Sequence, residues 1–162
     1  MQVPEVDPTT SLYETDFYAW TQEQVNFLRD RQWSQIDLHH LIDEVESLGK
    51  QQRQELRNRL SVLLGHLLKW EYQPQGRSRS WLATIRVQRR DALRLLQENP
   101  SLKPVLVDAL LEAYENGKDL AMGETNLPPE TFPLLCLYPL SKVLESRFYP
   151  GEMSALIGES EA

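Results

Sequence analysis

The side chains best suited to metal or acid–base chemistry lie near the start of a predicted helix. His39 and Asp43 are four residues apart, as are His40 and Glu44, so each pair lies on one helix face. Imidazole and carboxylate groups bind zinc, manganese or iron, which makes these four residues metal-ligand candidates. Metal sites in helical bundles commonly use Glu-x-x-His motifs from several helices, and this sequence contains no such motif. We therefore expect no metal, and we interpret the acidic turn as a solvated helix end whose charge suits the helix dipole.

Three residues are candidates for acid–base catalysis: Glu44, Glu46 and His66. At about 100° per residue, Glu46 and His66 fall at opposite edges of the apolar stripe of one long helix, so both are expected to be half-buried. A histidine there could exchange protons near neutral pH, but a hydrogen bond to a neighbouring carbonyl or carboxylate is its commoner role. The sequence also lacks Gly-x-Ser-x-Gly, Cys-x-x-Cys and His-Glu-x-x-His. An acid–base or metal-assisted enzyme is therefore our alternative interpretation, and we expect no cofactor.

A basic segment from Arg77 to Arg94 contains six arginines and one acidic residue. Its possible interaction surface consists of Arg77, Arg79, Arg86, Arg90, Arg94 and Trp81. Arginines beside a stacking tryptophan can bind single-stranded nucleic acid, but the net charge of −7 argues against general DNA binding. Nucleic-acid binding through this face is therefore the weaker alternative.

Arg89 differs from the other arginines because it falls on the apolar face of its helix. It lies four residues after Ile85 and four before Leu93, both of which belong to that face. A buried guanidinium is tolerated only when it is paired and hydrogen-bonded. We therefore predict that Arg89 is a structural polar anchor, and we expect its partner to be a carboxylate from the first helix, the fourth helix or the C-terminal segment.

The main element of the predicted fold is a long amphipathic helix from Asp37 to Trp70. Apolar residues recur there at steps of three and four, which is typical of a helix that buries one face in a bundle. The stripe is Leu38, Leu41, Ile42, Val45, Leu48, Gln52, Leu56, Leu60, Leu63, Leu67 and Trp70. Gly49 lies within the stripe and permits either a close helix crossing or a kink.

Three other helices are predicted at about residues 15–31, 80–98 and 101–121. Ser80 and Ser101 are expected to cap the last two. Short loops between successive helices favour antiparallel neighbours. The predicted fold is therefore an all-α, antiparallel helical bundle of about four main helices.

A proline-rich strap is predicted to follow the last main helix. Five prolines between Leu127 and Pro150 leave room only for short helices, of which the best candidate covers about residues 141–147. The apolar residues expected to pack this strap across the bundle are Phe132, Leu134, Leu135, Leu137, Leu140, Leu144 and Phe148.

The length of 162 residues suits one domain. We assign residues 1–12 to a flexible lead-in, 13–150 to a single helical-bundle domain and 151–162 to a disordered tail. No stretch approaches the roughly 20 apolar residues that span a bilayer, and we recognise no signal peptide, so we expect no membrane association. The only cysteine, Cys136, cannot form an intrachain disulfide, which fits a cytoplasmic location.

Several short motifs follow one another along nearly the whole chain. They are Tyr13 to Trp20 (YETDFYAW), Leu41 to Gly49 (LIDEVESLG), His66 to Pro74 (HLLKWEYQP), Ser78 to Trp81 (SRSW) and Phe148 to Pro150 (FYP). In these motifs the sequence resembles the bacterial domain-of-unknown-function family twenty-nine, which is found largely in cyanobacteria. The resemblance implies a helical bundle, and it implies no particular activity, cofactor or catalytic residue.

Charge segregation without a convincing active site favours a non-catalytic function. We therefore expect a helical protein-interaction or accessory module that binds a protein partner or associates with itself. Its acidic turn, its basic segment and its strap are the surfaces that could serve a partner.

Overall fold

The computed structural model describes residues 11–158, and these residues form helices and connecting segments without a β-strand. The α-helices are α1 (Leu12–Thr15), α2 (Phe17–Arg29), α3 (Leu38–Tyr72), α4 (Arg79–Glu98), α5 (Leu106–Thr125) and α6 (Leu140–Val143). Four of them are long, so the all-α helical-bundle class predicted from the sequence is confirmed. None of the helices within residues 11–158 is both long enough and apolar enough to cross a bilayer.

The described residues form two compact units, 11–50 and 51–158, where the sequence suggested a single domain from 13 to 150. The N-terminal unit contains α1, α2 and the beginning of α3. The C-terminal unit contains the rest of α3 with α4, α5, α6 and the segment that follows. Most of the buried apolar side chains belong to the C-terminal unit.

The N-terminal unit is held together by a small aromatic cluster. Asp16 caps α2 by accepting a hydrogen bond from the Ala19 amide at 3.0 Å, so this helix begins at Phe17 and not near Thr15 as predicted. The Trp20 ring is buried, and the rings of Tyr13 and Phe17 lie 4.9 and 5.6 Å from it. This cluster connects α1 to α2.

In the C-terminal unit, successive helices are antiparallel and α3 runs parallel to α5. Arg59 of α3 pairs with Asp91 of α4 at 3.4 Å, whereas Lys69, further along α3, lies over the ring of Trp81, near the start of α4. The contacts between α3 and α5 join Arg57 to Glu112, Ser61 to Asn116 and Lys69 to Glu124. In each of these pairs the two residues are 55 positions apart, so the two helices are in register.

Helices α3 and α5 touch through their backbones at Gly65 and Gly117. A Cβ atom added to Gly117 would lie 3.0 Å from the Gly65 nitrogen and 3.2 Å from the Ser61 carbonyl oxygen. The close crossing that the sequence allowed at Gly49 is therefore at Gly65. At Gly49, α3 continues as a helix, and no atom lies within 4 Å of an added Cβ.

The apolar stripe of α3 is buried only in its second half. Leucines from Leu56 onward form the core of the C-terminal unit together with side chains of α4, α5 and the strap. Leu38, Ile42, Val45 and Leu48 remain between 49% and 62% exposed. The prediction that the whole stripe faces a bundle was therefore wrong for these four residues, because periodicity identifies an apolar face but not what covers it.

Two helix starts differ from those predicted. The Ser78 side chain accepts a hydrogen bond from the Trp81 amide at 3.2 Å, so Ser78 and not Ser80 caps α4. Residues Pro100–Val105 form a 3-10 helix, and α5 begins only at Leu106 and not after Ser101. Pro104 lacks an amide hydrogen, which disfavours an α-helix through this segment.

The strap packs through fewer side chains than predicted. Phe132, Tyr138 and Val143 are buried, and the short helix α6 lies at Leu140–Val143 and not at residues 141–147. The leucines at 134, 135 and 137 are 71–85% exposed, so the prediction that they pack onto the bundle was wrong.

The chain ends differ from the predicted lead-in and tail as far as they are described. Residues 1–10 and 159–162 lie outside the described part of the chain. Within the predicted tail, Leu156 and Ile157 are partly buried against the core of the C-terminal unit. Within the predicted lead-in, Leu12 already begins α1.

Candidate functional site

Arg89 is buried in the C-terminal unit with only 2% of its surface exposed. Its Nε, Nη1 and Nη2 atoms donate hydrogen bonds to three strap carbonyls, of Val143 at 2.8 Å, Ser146 at 3.3 Å and Phe148 at 2.9 Å. Burial lowers the pKa of its guanidinium, which nevertheless stays charged because arginine is so strongly basic. Arg89 thus holds the strap through backbone acceptors, where the sequence suggested a carboxylate partner.

Arg77 makes a similar connection and is not part of an open surface. Its Nε atom donates to the Trp70 carbonyl and its Nη1 atom to the Glu152 carbonyl, both at 2.7 Å. Its guanidinium lies 5.0 Å from the centre of the Trp70 ring. Arg77 therefore connects the end of α3 to the segment just after the strap. The interaction role predicted for Arg77 from the sequence does not account for these bonds.

The other predicted members of the basic surface divide into two groups. Arg79, Arg86, Arg90 and Arg94 are exposed on α4. Trp81 is half-buried, and the ammonium group of Lys69 lies 4.5 Å from the centre of its ring. The indole is therefore already engaged with a cation of the protein itself, which weakens one argument for nucleic-acid binding.

His66 belongs to a polar network that includes a buried lysine, Lys69, which the sequence analysis did not single out. Since the Val62 carbonyl can only accept, His66 Nδ1 carries the hydrogen of their 2.9 Å contact and Nε2 accepts from Lys69 at 3.3 Å. The Lys69 ammonium, on a side chain only 2% exposed, also donates to Glu124. His66, Lys69 and Glu124 therefore satisfy one another's hydrogen bonds.

Acidification is expected to destabilise the protein through His66. Burial, and secondly the charge of Lys69, lower the pKa of His66 below its ordinary 6.5. The folded state then binds fewer protons than the unfolded state, so stability rises with pH and is lost as pH falls below about 6.5.

Urea unfolding at pH 7 and pH 5 should show this loss of stability. His66→Gln should reduce the loss, whereas His39→Gln, at an exposed site, should leave the loss unchanged. An equal loss in wild type and His66→Gln would contradict this assignment.

Two of the metal and catalytic candidates in the N-terminal unit, His40 and Glu44, contact the side chain of Tyr13. His40 Nδ1 lies 2.7 Å from Asp37, whose pKa is lowered chiefly by this hydrogen bond, and the His40 ring stacks on Tyr13 at 3.9 Å. The Tyr13 hydroxyl donates to Glu44, which raises the pKa of Tyr13. These contacts connect α1 to the start of α3 within this unit.

The remaining candidates do not form a cluster with them. His39 lies 3.7 Å from Asp43, and both side chains are exposed. Glu46 is exposed as well, where the sequence predicted a half-buried edge. Within residues 11–158, no group of three or more His, Cys, Asp or Glu side chains is arranged to hold a metal ion. His66 belongs to the other unit, with the network described above.

Two buried tyrosines of the C-terminal unit are polar features that sequence reasoning missed. The Tyr138 hydroxyl donates to Glu71, and burial with this hydrogen bond raises the pKa of Tyr138. The Tyr114 hydroxyl donates to the Pro133 carbonyl at 2.7 Å, and burial raises the pKa of Tyr114 to about 12. Both bonds hold the strap, and no spacing rule in the sequence could have paired these distant residues.

The exposed half of the α3 stripe is the clearest unpartnered surface of the N-terminal unit. Leu38, Ile42, Val45 and Leu48 follow one another at steps of four and three, so they form one row along the helix, which we call the apolar row. Asp43 and Glu46 are exposed among them. The apolar row therefore combines large apolar side chains with acidic neighbours.

The charge of the chain is unevenly distributed around these surfaces. Residues 1–50 contain 10 of the 24 acidic residues and 3 of the 17 basic ones, which accounts for the whole net charge of −7. Residues 51–162 have equal numbers of acidic and basic residues. The apolar row therefore lies in the acidic part of the chain.

Comparison with known proteins identifies a family and gives no activity. No curated protein and no solved structure matches the chain. The family described as "Domain of unknown function DUF29" matches residues 12–149, nearly the whole chain and nearly all of the described residues. The protein therefore belongs to the DUF29 family.

Proposed function

We propose that the protein is a non-catalytic interaction module that binds an amphipathic helix of a partner protein through the apolar row. The observation that carries this proposal is the exposure of Leu38, Ile42, Val45 and Leu48 on a helix that continues into a well-packed core. Contiguous exposed apolar residues are costly on a monomer and commonly mark binding surfaces. A regular helix presents them in fixed positions, which lowers the entropy lost on binding.

The charge around the apolar row defines the chemistry of the partner. Asp43 and Glu46 flank the row, and the N-terminal part of the chain is strongly acidic. Pairing with a second copy through this surface would bring like charges together, which electrostatic complementarity disfavours. We therefore infer a partner helix that carries an apolar face bordered by lysine or arginine residues.

The setting we propose is the cytoplasm of a bacterium. Cys136 is a free cysteine, and burial raises the pKa of its thiol, so it is a poorly reactive packed residue of the kind that persists in a reducing compartment. The bacterial setting rests on the family resemblance of the motifs.

Replacing the apolar row should abolish partner binding without unfolding the protein. Ile42→Gln with Val45→Gln removes two exposed apolar side chains while retaining reasonable helix propensity, so the melting temperature should change little. A photo-crosslinker placed at Leu48 would identify the partner, whose affinity for purified variants can then be measured. We expect the double variant to weaken this affinity at least about tenfold, which corresponds to about 1.4 kcal/mol.

The strap offers a matched control, because Leu135 and Leu137 are even more exposed than the residues of the apolar row. Leu135→Gln with Leu137→Gln removes as much apolar surface from another part of the chain, and it should leave the affinity within about twofold. Loss of binding in the strap variant but not in the row variant would contradict the proposal. Light scattering that shows a dimer dissociated by the row variant would instead identify a second copy as the occupant and overturn the assignment of a basic partner helix.

A further inference from the structure

A cavity of about 580 Å³ lies against the second half of α4 and is lined mainly by arginines. Its polar lining consists of Arg86, Arg89, Arg90, Arg94, Gln97 and Ser146. This volume is within the range of small-molecule sites, roughly 300–1,000 Å³. The strap contributes Ser146, whose backbone carbonyl also holds Arg89, so the buried anchor fixes one wall of the cavity.

Among the described residues, the charged side chains that line this cavity are all arginines. Within residues 11–158, no aspartate or glutamate lines the cavity, and Leu93 is the one apolar side chain that does. One carboxylate, Asp91, contacts a lining arginine: it pairs with Arg94 at 3.1 Å, and it is shared with Arg59 at 3.4 Å. Guanidinium groups only donate hydrogen bonds, so the complementary ligand must supply acceptor oxygens and negative charge.

Arg89 adds a positive charge that its own contacts do not neutralise. Its acceptors are three backbone carbonyls, and no carboxylate within residues 11–158 lies within ion-pair distance of it. A carbonyl satisfies the hydrogen-bonding capacity of a guanidinium but carries no net charge. An anion in the adjoining cavity would therefore be attracted by a buried charge that water screens weakly.

The spacing of the exposed arginines indicates a ligand with several anionic groups. Arg90 and Arg94 are four residues apart, so their positions along α4 are about 6 Å apart. Each terminal phosphate group offers about −1.5 to −2 charges and three acceptor oxygens, and the planar guanidinium binds phosphate with two parallel hydrogen bonds. A single carboxylate could engage only one of these positions.

We propose that this cavity binds a small anion that carries two or more linked phosphate groups. Arg90 and Arg94 would contact the phosphates directly, and the buried Arg89 would supply long-range attraction. The site is independent of the apolar row, because it lies in the C-terminal unit and uses different chemistry.

Calorimetric titration of the full chain with inorganic tripolyphosphate at low salt would test the site. We expect wild type to bind, and Arg90→Gln with Arg94→Gln to bind at least about 30-fold more weakly, or about 2 kcal/mol. The matched control is Arg53→Gln with Arg79→Gln, which removes the same charge from two exposed arginines outside the cavity and should change the affinity less than about twofold. Arg90→Lys should give an intermediate loss, because it keeps the charge but not the planar fork.

Several outcomes would overturn the proposal. Equal weakening by the control variant would show a diffuse electrostatic effect and not a site. Citrate binding as tightly as tripolyphosphate would contradict the preference for phosphate. Displacement of tripolyphosphate by a short single-stranded oligonucleotide of higher affinity would identify a nucleic-acid surface instead. The site would also be refuted if the folded wild-type protein did not bind tripolyphosphate.

Discussion

Arg89→Ala is expected to lower the free energy of unfolding by about 3–5 kcal/mol, the cost typical of breaking a buried charged hydrogen-bond network. The substitution removes three hydrogen bonds and leaves the carbonyls of Val143, Ser146 and Phe148 without their donor. Urea denaturation followed by circular dichroism would measure the change. Arg89→Met fills part of the lost volume but restores no donor, so it should remain destabilised relative to wild type.

Arg90→Ala is the matched control, since Arg90 is the next residue of α4 and its side chain is exposed. Its effect should stay within about 0.5 kcal/mol. A loss below about 0.5 kcal/mol in Arg89→Ala would show that the buried guanidinium is not an anchor. Limited proteolysis gives an independent readout: cleavage between residues 143 and 150 should accelerate in Arg89→Ala and not in Arg90→Ala.

Gly117→Leu is expected to lower the free energy of unfolding by about 2–4 kcal/mol, because a side chain cannot fit where α5 touches α3. An added Cβ would already lie 3.0 Å from the Gly65 nitrogen and 3.1 Å from the Leu64 Cβ. Relief requires the two helices to separate, which also disturbs the contacts of Ser61 and Lys69 with α5. Thermal and urea unfolding would measure the loss.

The control for this prediction lies in the same helix. Gly123 has no atom within 4 Å of an added Cβ, so Gly123→Ala should stabilise the protein by about 0.5–1 kcal/mol through helix propensity alone. Gly117→Ala has the same gain in propensity but meets backbone atoms, so it should be less stable than Gly123→Ala. Equal stability of these two alanine variants would show that the crossing can relax.

Much of the fold could be predicted from the periodicity of apolar residues in the sequence. The long helix was predicted at residues 37–70 and spans Leu38–Tyr72. The prediction succeeded because both of its signals, the apolar stripe and the proline that ends the helix, depend only on residues close together in the sequence. The same periodicity places Arg89 on the inner face of α4. What covers a face depends on residues distant in the sequence, so the stripe could not reveal that Val45 is exposed while Leu60 is buried.

The candidate sites were harder to predict, because the residues that form them contact backbone atoms or side chains that are distant in the sequence. A carbonyl acceptor has no sequence signature, so the strap carbonyls of Val143 and Phe148 could not be foreseen as partners of Arg89. Lys69 is one polar residue among many until Trp81 and Glu124 are brought beside it. The arginine-lined cavity likewise exists only once Ser146 lies against α4.

The distance along the chain between Arg89 and its acceptors has a consequence for synthesis. Its hydrogen bonds span 54–59 residues, and those of Arg77 to the end of the strap span 73–75. At translation rates of roughly 5–20 residues per second, Arg89 is made about 3–12 s before its last acceptor. During that interval α3 and α4 can form, but a guanidinium destined for the interior has no protein acceptor there. The C-terminal unit can therefore close only after the strap has left the ribosome.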